Sequence, residues 1–355
     1  MLRLPLRAVA VRAGATAIAT LVAAPVLTAC DVAPTGSRSP SPAVSPSTPQ
    51  AALDTARPVV LAISVDGLNT RALTRLGRAE LPHFHRLLHQ GARTLNARTE
   101  YEQNVTLPNH TGMMTGRRID AASGGHGVTW DRDRRRMTVA RAAGHPVSSV
   151  FSVVHGAGGS TALFSAKEKF GLYHRSWPRS ICRFTVERDQ MALVRTAAHD
   201  LVARGRDFTF LHISLPDRAG HAHGGMSSAY LQAVRRTDEQ LGIVLRALDR
   251  HRRLERRTTI ILTADHGFAA GTTSHARRIL ANYRIPFLVW GDGVRAGDLY
   301  RINPDYADPG TARPGYAAAR QPIRNGDLAN LALTLLDLRS VPGSELDALQ
   351  DLRIG

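Results

Sequence analysis

An aspartate and a histidine stand side by side at the end of an apolar segment, where the chain could hold a metal ion. The run 260–264 leads into Asp265-His266, and Gly267 then allows a turn. Such a run is typical of a buried parallel strand, and ligands collect where the strands of open α/β sheets end. A carboxylate oxygen and an imidazole nitrogen suit zinc, although the same dipeptide also forms ordinary hydrogen-bonded turns. The metal interpretation therefore requires ligands at other strand ends.

Further acids and imidazoles follow other predicted strands or lie in neighbouring loops. Asp217 and His221 stand four residues apart, so one helical turn would bring both to one face. The candidate ligands are three carboxylates and three imidazoles: Asp66, Asp217, His221, Asp265, His266 and His275. Such a set can hold two zinc ions, or other divalent metals, with open coordination positions. Two metals about 3.5–4 Å apart would clamp the attacking and leaving oxygens of an in-line phosphoryl displacement.

A threonine hydroxyl is the candidate nucleophile. Thr106 and Pro108 stand at the predicted start of a short helix, where Thr is a natural N-cap and Pro suits the first turn. Amide N–H groups at a helix start favour an anion such as phosphate, and a bound metal would activate the hydroxyl. The sequence therefore predicts phosphoryl transfer to Thr106.

Lysine is almost absent from this chain. The 46 Lys and Arg side chains include only two lysines, Lys167 and Lys169, within the segment 165–170. A compact ammonium on a flexible stem and a planar guanidinium are not interchangeable in a tight phosphate site. We therefore predict that both lysines bind substrate. The alternative is a chance occurrence at an exposed strand end.

The remaining histidines need no catalytic role. His110 and His126 flank the predicted site and could orient the metal ligands through hydrogen bonds. His223 and His251 are alternatives to His275 as the sixth ligand. Six further histidines fall within helix or strand patterns and are interpreted as structural or solvated: His83, His85, His89, His155, His199 and His212.

The elements that must position these residues alternate between strand and helix. Beside the strand that leads to Asp265, apolar runs predict strands at 59–65, 93–99, 160–165, 207–214 and 285–290. Helix signals run up to Leu76 and from Thr106, and also cover 82–90, 148–157, 186–203, 230–248 and 328–336. This alternation predicts an α/β fold, with a mostly parallel central sheet and helices on both faces.

The chain begins with a predicted signal peptide, residues 1–29. Three arginines precede an uncharged run, 13–29, of mostly small and apolar residues. The end of the run, Leu27-Thr28-Ala29-Cys30, resembles a bacterial lipobox, in which the cysteine becomes the lipidated first residue. The alternative is an uncleaved membrane anchor. Both interpretations place the remainder outside the cytoplasm, as a lipid-anchored or secreted protein.

A tether and one catalytic domain follow. Residues 30–57 are rich in Pro and Ser and are typical of an extended linker, and 58–355 are predicted to form a single domain. Cys30 and Cys182 are the only cysteines. If Cys30 carries lipid, the protein has no disulfide; the alternative is a Cys30–Cys182 bridge.

The formal net charge of +17 would attract anionic lipid, nucleic acid or phosphate substrates. The cationic residues are spread along the chain, so we expect no specific nucleic-acid binding. The expected partners are a small phosphorylated substrate and, through the lipid anchor, a membrane. The sequence sets no oligomeric state.

Five motifs resemble those of the alkaline phosphatase superfamily, and within it the type I phosphodiesterase/nucleotide pyrophosphatase branch. They occur in the family's order and span the folded domain: Ser64-Val-Asp-Gly67, Thr106-Leu-Pro-Asn-His110, Asp217-Arg-Ala-Gly-His221, Thr263-Ala-Asp-His-Gly267 and Thr273-Ser-His275. The resemblance implies an alkaline phosphatase-like α/β/α sandwich and an extracytoplasmic hydrolase of phosphodiester or pyrophosphate bonds.

The same resemblance implies roles for individual residues. Thr106 would be phosphorylated in a covalent intermediate that water then hydrolyses, and Asn109 of the same motif would contact substrate. The ligands would divide between two zinc ions: Asp66, Asp265, His266 and Thr106 for one, and Asp217, His221 and His275 for the other. A threonine cannot be converted to formylglycine, which argues against a sulfatase of the same fold.

Two departures bear on the substrate. Asp131 stands where diesterases of the family place an Asn against a phosphoryl oxygen, and a carboxylate there would repel phosphate unless protonated or turned away. Lys167 and Lys169 resemble the lysine pair of siblings that act on phosphate monoesters or phosphonoacetate. Three hypotheses therefore stay open: a phosphohydrolase of diesters or monoesters, a phosphoryl transferase that passes the group to an alcohol, and an inactive lipid-anchored binding protein.

Overall fold

The computed structural model describes residues 57–348 and 351–355. Its strands are β1 (Val59–Val65), β2 (Ala92–Arg98), β3 (Thr161–Ser165), β4 (Arg183–Val186), β5 (Phe208–Ile213), β6 (Thr258–Thr263), β7 (Arg284–Trp290) and β8 (Gly297–Asp298). The longer helices are α1 (Thr70–Glu80), α2 (Pro82–Gln90), α3 (Thr106–Thr115), α5 (Val150–Gly156), α7 (Gln190–Arg204), α8 (Leu215–His223), α9 (Ser228–Asp249) and α13 (Leu328–Leu335). The shorter ones are α4 (Val139–Ala143), α6 (Gly171–Ser176), α10 (Arg252–Glu255), α11 (Leu280–Tyr283) and α12 (Leu299–Ile302).

Within the described ranges the strands form one sheet, in the order β4-β3-β5-β1-β6-β7-β2-β8. Strand β7 runs antiparallel to β6 and β2, and all other neighbours are parallel. The four strands β3, β5, β1 and β6 are therefore adjacent and parallel, so their carboxyl ends lie at one edge of the sheet. The predicted α/β fold with a mostly parallel sheet is confirmed.

Helices cover both faces of the sheet. On one face α9 contacts α1, α2 and α7, and on the other α13 contacts β1, β6 and α5. All seven residues of β1 are buried as a result, which explains why its sequence is apolar without alternation. Polar side chains cap the starts of these helices. The Asp189 side chain accepts backbone N–H groups in the first turn of α7, and the Ser227 side chain accepts one in the first turn of α9.

The structure corrects two predicted element boundaries. The helix predicted over 186–203 begins only at Gln190, because Val186 ends strand β4, which pairs with β3 and was not predicted. Thr106 is not the N-cap of α3 but its first helical residue; the preceding residue, Val105, has the extended N-cap conformation. The Thr106 hydroxyl is therefore not used as a helix cap.

The predicted signal peptide and nearly all of the predicted tether, with Cys30, lie outside the described residues. The alternatives of a lipid on Cys30 and a Cys30–Cys182 bridge therefore both stay predictions. In the part of the chain that the structure describes, no helix is both long and apolar enough to cross a membrane.

Candidate functional site

Three acids lie where the central strands end. Asp66 directly follows β1, Asp265 lies two residues beyond β6, and Asp217 lies in α8, which begins just after β5. Gly67 brings them together: its φ is +72°, and a Cβ atom there would lie 2.9 Å from the Asp217 Cα atom. Its N–H also donates to Asp265 Oδ1 at 3.1 Å. Any other residue at this turn would push β1 away from α8.

The acids and two imidazoles form two overlapping groups of possible metal ligands: Asp66, Asp265 and His266, and Asp217, His266 and His275. In each group the ligand atoms lie within 4.8 Å of one another. His266 Nε2 is central, at 3.2 Å from Asp265 Oδ2, 3.5 Å from Asp66 Oδ1 and 3.9 Å from Asp217 Oδ1. Ligands of a tetrahedral zinc ion lie about 3.3 Å apart, given metal–ligand bonds of about 2.0–2.1 Å. The spacing therefore fits cation binding.

The atoms that face this centre lack protein partners. Among the described residues, four of the buried polar atoms without a hydrogen-bond partner converge here: Asp66 Oδ1, Asp217 Oδ1, Asp265 Oδ2 and His266 Nε2. Buried charges are strongly destabilising unless they are paired or coordinate a metal. The donor set is oxygen and imidazole nitrogen, which suits zinc and other divalent metals. The residues present therefore fit a divalent cation.

The three candidate ligand histidines share one arrangement. In each, the Nδ1 atom lies beside a backbone carbonyl oxygen: Asn104 for His275 at 2.7 Å, Thr273 for His221 at 2.9 Å and Gly267 for His266 at 3.0 Å. A carbonyl only accepts, so Nδ1 carries the proton and Nε2 keeps its lone pair in the neutral ring. Metal-binding histidines are held in this way.

Electrostatics at the centre follow from burial. Burial and the neighbouring Asp66 charge raise the pKa of the Asp265 carboxyl well above its ordinary value, because a second buried negative charge lacks compensation. Burial also opposes ionisation of Asp66, but Lys167 and His212 hold its pKa below the ordinary value. Burial lowers the pKa of His266 to about 3. A neutral imidazole is the form that binds metals.

Lys167 lies between the two groups of ligands. Its Nζ atom is 2.6 Å from Asp66 Oδ2 and 2.6 Å from Asp217 Oδ2, the oxygens that do not face the centre. The same atom donates to Thr106 Oγ1 at 3.5 Å. Burial disfavours the charged ammonium, but the carboxylates outweigh it and raise the Lys167 pKa. Lys167 is thus a permanent cation beside the candidate nucleophile.

Thr106 lies at the first turn of α3, next to this centre. The residue is buried, and its hydroxyl contacts Lys167 Nζ. Its carbonyl oxygen accepts from His110 Nδ1 at 2.8 Å, and the other nitrogen of that ring bonds to the Ser64 hydroxyl of β1. The hydroxyl is therefore held beside Lys167, which itself contacts Asp66 and Asp217, by a helix that is tied to the central strand.

A sequence model described as type I phosphodiesterase/nucleotide pyrophosphatase matches residues 60–328, most of the chain and all of the candidate site. The chain belongs to this family. Its members are phosphoric ester hydrolases of the alkaline phosphatase superfamily.

Curated proteins match this chain over only part of its length. GPI ethanolamine phosphate transferase 1 of Gibberella zeae is 31% identical over 107 residues, 30% of this chain and 10% of the relative. The Neurospora crassa protein of the same name is 34% identical over 107 residues, again 30% of this chain and 10% of the relative. The chain therefore spans about a tenth of the length of these relatives.

Solved structures of the superfamily share the fold. Murine ectonucleotide pyrophosphatase/phosphodiesterase 5, solved as an inactive threonine-to-alanine variant in complex with AMP, superimposes with a TM-score of 0.60 at 15% identity and covers 84% of this chain and 100% of its own. The protein described as Ps i-CgsB superimposes with a TM-score of 0.56 at 14% identity. This match covers 84% of this chain and 76% of that protein.

The sixth predicted ligand, His221, lies next to the two groups, although it belongs to neither of them. His221 Nε2 lies 3.3 Å from Asp217 Oδ1, and the His221 ring is next to His275. Half of the His221 side chain is exposed, so His221 lies on the solvent side of the centre. His251, an alternative to His275, instead lies between α9 and α10 and bonds to Ala247 O of α9.

Two residues act differently from the sequence interpretation. Asn109, expected to contact substrate, is buried, and its side chain bonds to Glu100 N, Gln103 O and Val105 O, so it shapes the loop before α3. His212, interpreted as structural, donates toward Asp66 Oδ2 at 2.9 Å from Nε2. Only the pairing of β5 with β1, which sets His212 opposite Ser64, brings it there. No sequence signal marked it.

His212 is therefore expected to orient a metal ligand. His212→Leu removes the bond to Asp66 and should weaken metal binding about 10–100-fold, whereas His212→Gln, which retains a donor, should lose less. Zinc titration of the metal-free protein measures both. His199→Leu, a substitution at an exposed position of α7, is the control. Equal affinities in the Leu and Gln variants would contradict an orienting role.

Glu100, whose N–H bonds to Asn109, predicts a pH dependence of stability. Burial raises the pKa of its carboxyl to about 8 from 4.5. Between these values the folded state holds a proton that the unfolded chain has lost, so stability falls as pH rises through this window. Glu100→Gln should raise Tm by several degrees at pH 8.5 and by less at pH 4.5, measured by calorimetry. Glu239→Gln, at an exposed carboxylate of α9, is the control; a pH-independent gain for Glu100→Gln would contradict the assignment.

Proposed function

We propose that this family member is a two-metal phosphohydrolase that cleaves phosphodiester or pyrophosphate bonds through a phospho-threonine intermediate at Thr106. The observation that carries the proposal is the convergence of four unpartnered buried ligand atoms beside a hydroxyl at a helix N-terminus. The two metals would be held by Asp66, Asp265 and His266, and by Asp217, His221 and His275, with His266 close enough to Asp217 to be shared between them. We expect zinc, with other divalent metals able to replace it.

The bound metals would act as Lewis acids and neutralise charge on the reacting oxygens. Thr106 Oγ1 bonds to phosphorus as the bond to the leaving group breaks, and its proton passes by way of solvent to the departing oxygen. Water then attacks the phospho-threonine, releases the phosphoryl group and returns a proton to Oγ1. Lys167 keeps a positive charge 3.5 Å from Oγ1 throughout. The amides at the start of α3 favour the anion.

A small phosphorylated substrate, such as a nucleotide, suits this site. The murine pyrophosphatase/phosphodiesterase of similar fold carries AMP, and its threonine-to-alanine variant is described as inactive. The experiment measures metal content of the purified protein by mass spectrometry, and its hydrolysis of bis-p-nitrophenyl phosphate beside p-nitrophenyl phosphate. A protein without bound metal or turnover of either ester would refute the proposal and favour an inactive binding protein.

A phosphoryl transferase is the second candidate function. The curated relatives with a partial match are named ethanolamine phosphate transferases, and a phospho-threonine can pass its group to an alcohol as well as to water. Turnover of bis-p-nitrophenyl phosphate with added ethanolamine or glycerol separates the two. A transferase would release more p-nitrophenol than hydrolysed phosphate product, and phosphorus NMR would show the new ester.

Lys167 provides a prediction on substrate charge. A monoester carries a second negative charge that a diester lacks, and the Lys167 ammonium lies where it can neutralise that charge. Lys167→Ala should therefore lower kcat/KM for p-nitrophenyl phosphate by about tenfold more than for the diester. Lys167→Arg, which keeps the charge, is the control. Equal losses on the two esters would remove the charge argument and leave Lys167 a role in holding the carboxylates.

We also propose an extracytoplasmic location, on the signal-peptide pattern of residues 1–29. Lipidation of Cys30 and a disulfide to Cys182 exclude each other in one chain, since the chain has no third cysteine. Mass spectrometry of the peptide that begins at residue 30, with and without reduction, distinguishes a lipid from a bridge. Cell fractionation that finds the protein in the cytoplasm would contradict both.

A further inference from the structure

The N-terminus of α3 is capped by a side chain from a distant loop. Leu107 is the second residue of α3, so its N–H has no acceptor within the helix. Asp131 Oδ1 accepts this N–H at 2.9 Å. The residue that the sequence placed at an unfavourable position is thus turned toward the site rather than away from it. It lies on the helix start that follows the candidate nucleophile.

A phosphoryl group would need the same donor. Bonded to Thr106 Oγ1, the group would bring its free oxygens to the first turn of α3, where amide N–H groups bind anions. The Leu107 N–H belongs to the residue that follows Thr106. The Asp131 carboxylate is an anionic acceptor of the same kind as a phosphoryl oxygen. Two such acceptors cannot share one N–H without strong repulsion between their charges.

Asp131 is also held by a cation that could change partner. Lys169 Nζ lies 2.9 Å from Asp131 Oδ1, and 38% of the Asp131 side chain is exposed against 18% of that of Lys169. The carboxylate can therefore turn into solvent, while the ammonium stays near the mouth of the site. Once Asp131 leaves, Lys169 is free to pair with an incoming anion. The turn that follows β3 thus supplies a cation at the centre, Lys167, and another at the mouth.

We propose that Asp131 is an internal competitor for the phosphoryl site, and that substrate binding exchanges its carboxylate for a phosphoryl oxygen at the Leu107 N–H. The inference rests on the proposed role of Thr106 as phosphoryl acceptor. It makes Asp131 a residue that determines affinity for phosphorylated ligands. A neutral side chain at this position removes the competition and the repulsion together.

The experiment measures binding of inorganic phosphate to the metal-loaded protein by calorimetry. Asp131→Asn should bind phosphate about tenfold or more tightly than the parent, because a like charge beside the site is removed. Asp131→Ala, which cannot cap Leu107, should change in the same direction. Asp133→Asn is the matched control, since it removes the same charge from the same loop but its carboxylate pairs with Arg175. It should change affinity by no more than about twofold.

The outcomes separate the inference from the proposed function. If Asp131→Asn and Asp133→Asn increased phosphate affinity equally, the effect would come from the net charge of the loop, and the inference would be overturned. Unchanged or weaker phosphate binding in both Asp131 variants would also overturn it, because the carboxylate would then support the site. Tighter binding by the Asp131 variants without hydrolysis of any ester would uphold the competitor and refute the hydrolase.

Discussion

Thr106→Ala is expected to lower turnover of bis-p-nitrophenyl phosphate by about 10⁴-fold or more, with fold and metal content retained. The substitution removes Oγ1, the atom to which the phosphoryl group is transferred. The side chain is small, and its hydroxyl makes one long contact, 3.5 Å to Lys167 Nζ, so its loss leaves little unsatisfied. Steady-state kinetics measure the effect, and circular dichroism with metal analysis establishes that the protein is otherwise intact.

Thr106→Ser is the control for the nucleophile. Serine keeps a hydroxyl on the same backbone position, so it should retain activity far above that of the alanine variant and still form a phosphorylated protein. Acid quenching during turnover of a radiolabelled diester would trap the label on the parent and on the serine variant. Near-normal turnover in Thr106→Ala, or label on that variant, would show that another atom accepts the phosphoryl group.

His266→Ala is expected to abolish binding of both metals rather than one. His266 belongs to both ligand groups, and its Nε2 atom lies within 3.9 Å of the carboxylate oxygens of Asp66, Asp217 and Asp265. Loss of this nitrogen leaves the first group with two acids and no imidazole, and the second with Asp217, His275 and the half-exposed His221. We expect metal content near zero after dialysis and activity reduced at least about 100-fold. Elemental analysis of the dialysed protein measures the metal content directly.

His275→Ala is the matched comparison. His275 belongs to one group only, so the Asp66 group should keep its metal and the content should fall to about one ion per chain. Metal-free parent protein should unfold at a lower temperature than the loaded protein, because binding stabilises the folded state. If His266→Ala retained one ion and His275→Ala retained the other, the centre would consist of two separate sites with no shared ligand.

The sequence predicted which acids and imidazoles lie together better than it predicted the residues around them. Asp66 and Asp265 were recognisable because an apolar strand that ends in an acid is a local pattern, and both lie at the predicted sheet edge. Strand β4 was missed because Arg183–Val186 is short and half-buried and merges with the helix signals that follow. Asn109 was assigned to substrate because its motif is shared with the family, whereas its bonds to the preceding loop depend on how that loop folds back.

Residues that act through another element were beyond sequence reasoning. His212 faces Asp66 only because β5 lies beside β1 in one register, and a shift by one residue would turn it to the opposite face. The Asp131 carboxylate meets the start of α3 from 24 positions along the chain. The sequence marked this position as unusual but set no direction for the side chain.

By itself, the sequence determined the alternation of strands and helices, the acids and imidazoles at strand ends and the hydroxyl at a helix start. These depend on periodicity and donor chemistry, which are local. The tertiary structure alone decided that His266 is shared between two groups, that Lys167 joins Asp66 to Asp217, and that Asp131 covers the Leu107 N–H. Each of these depends on strand order and on side-chain direction across different elements, which sequence spacing does not encode.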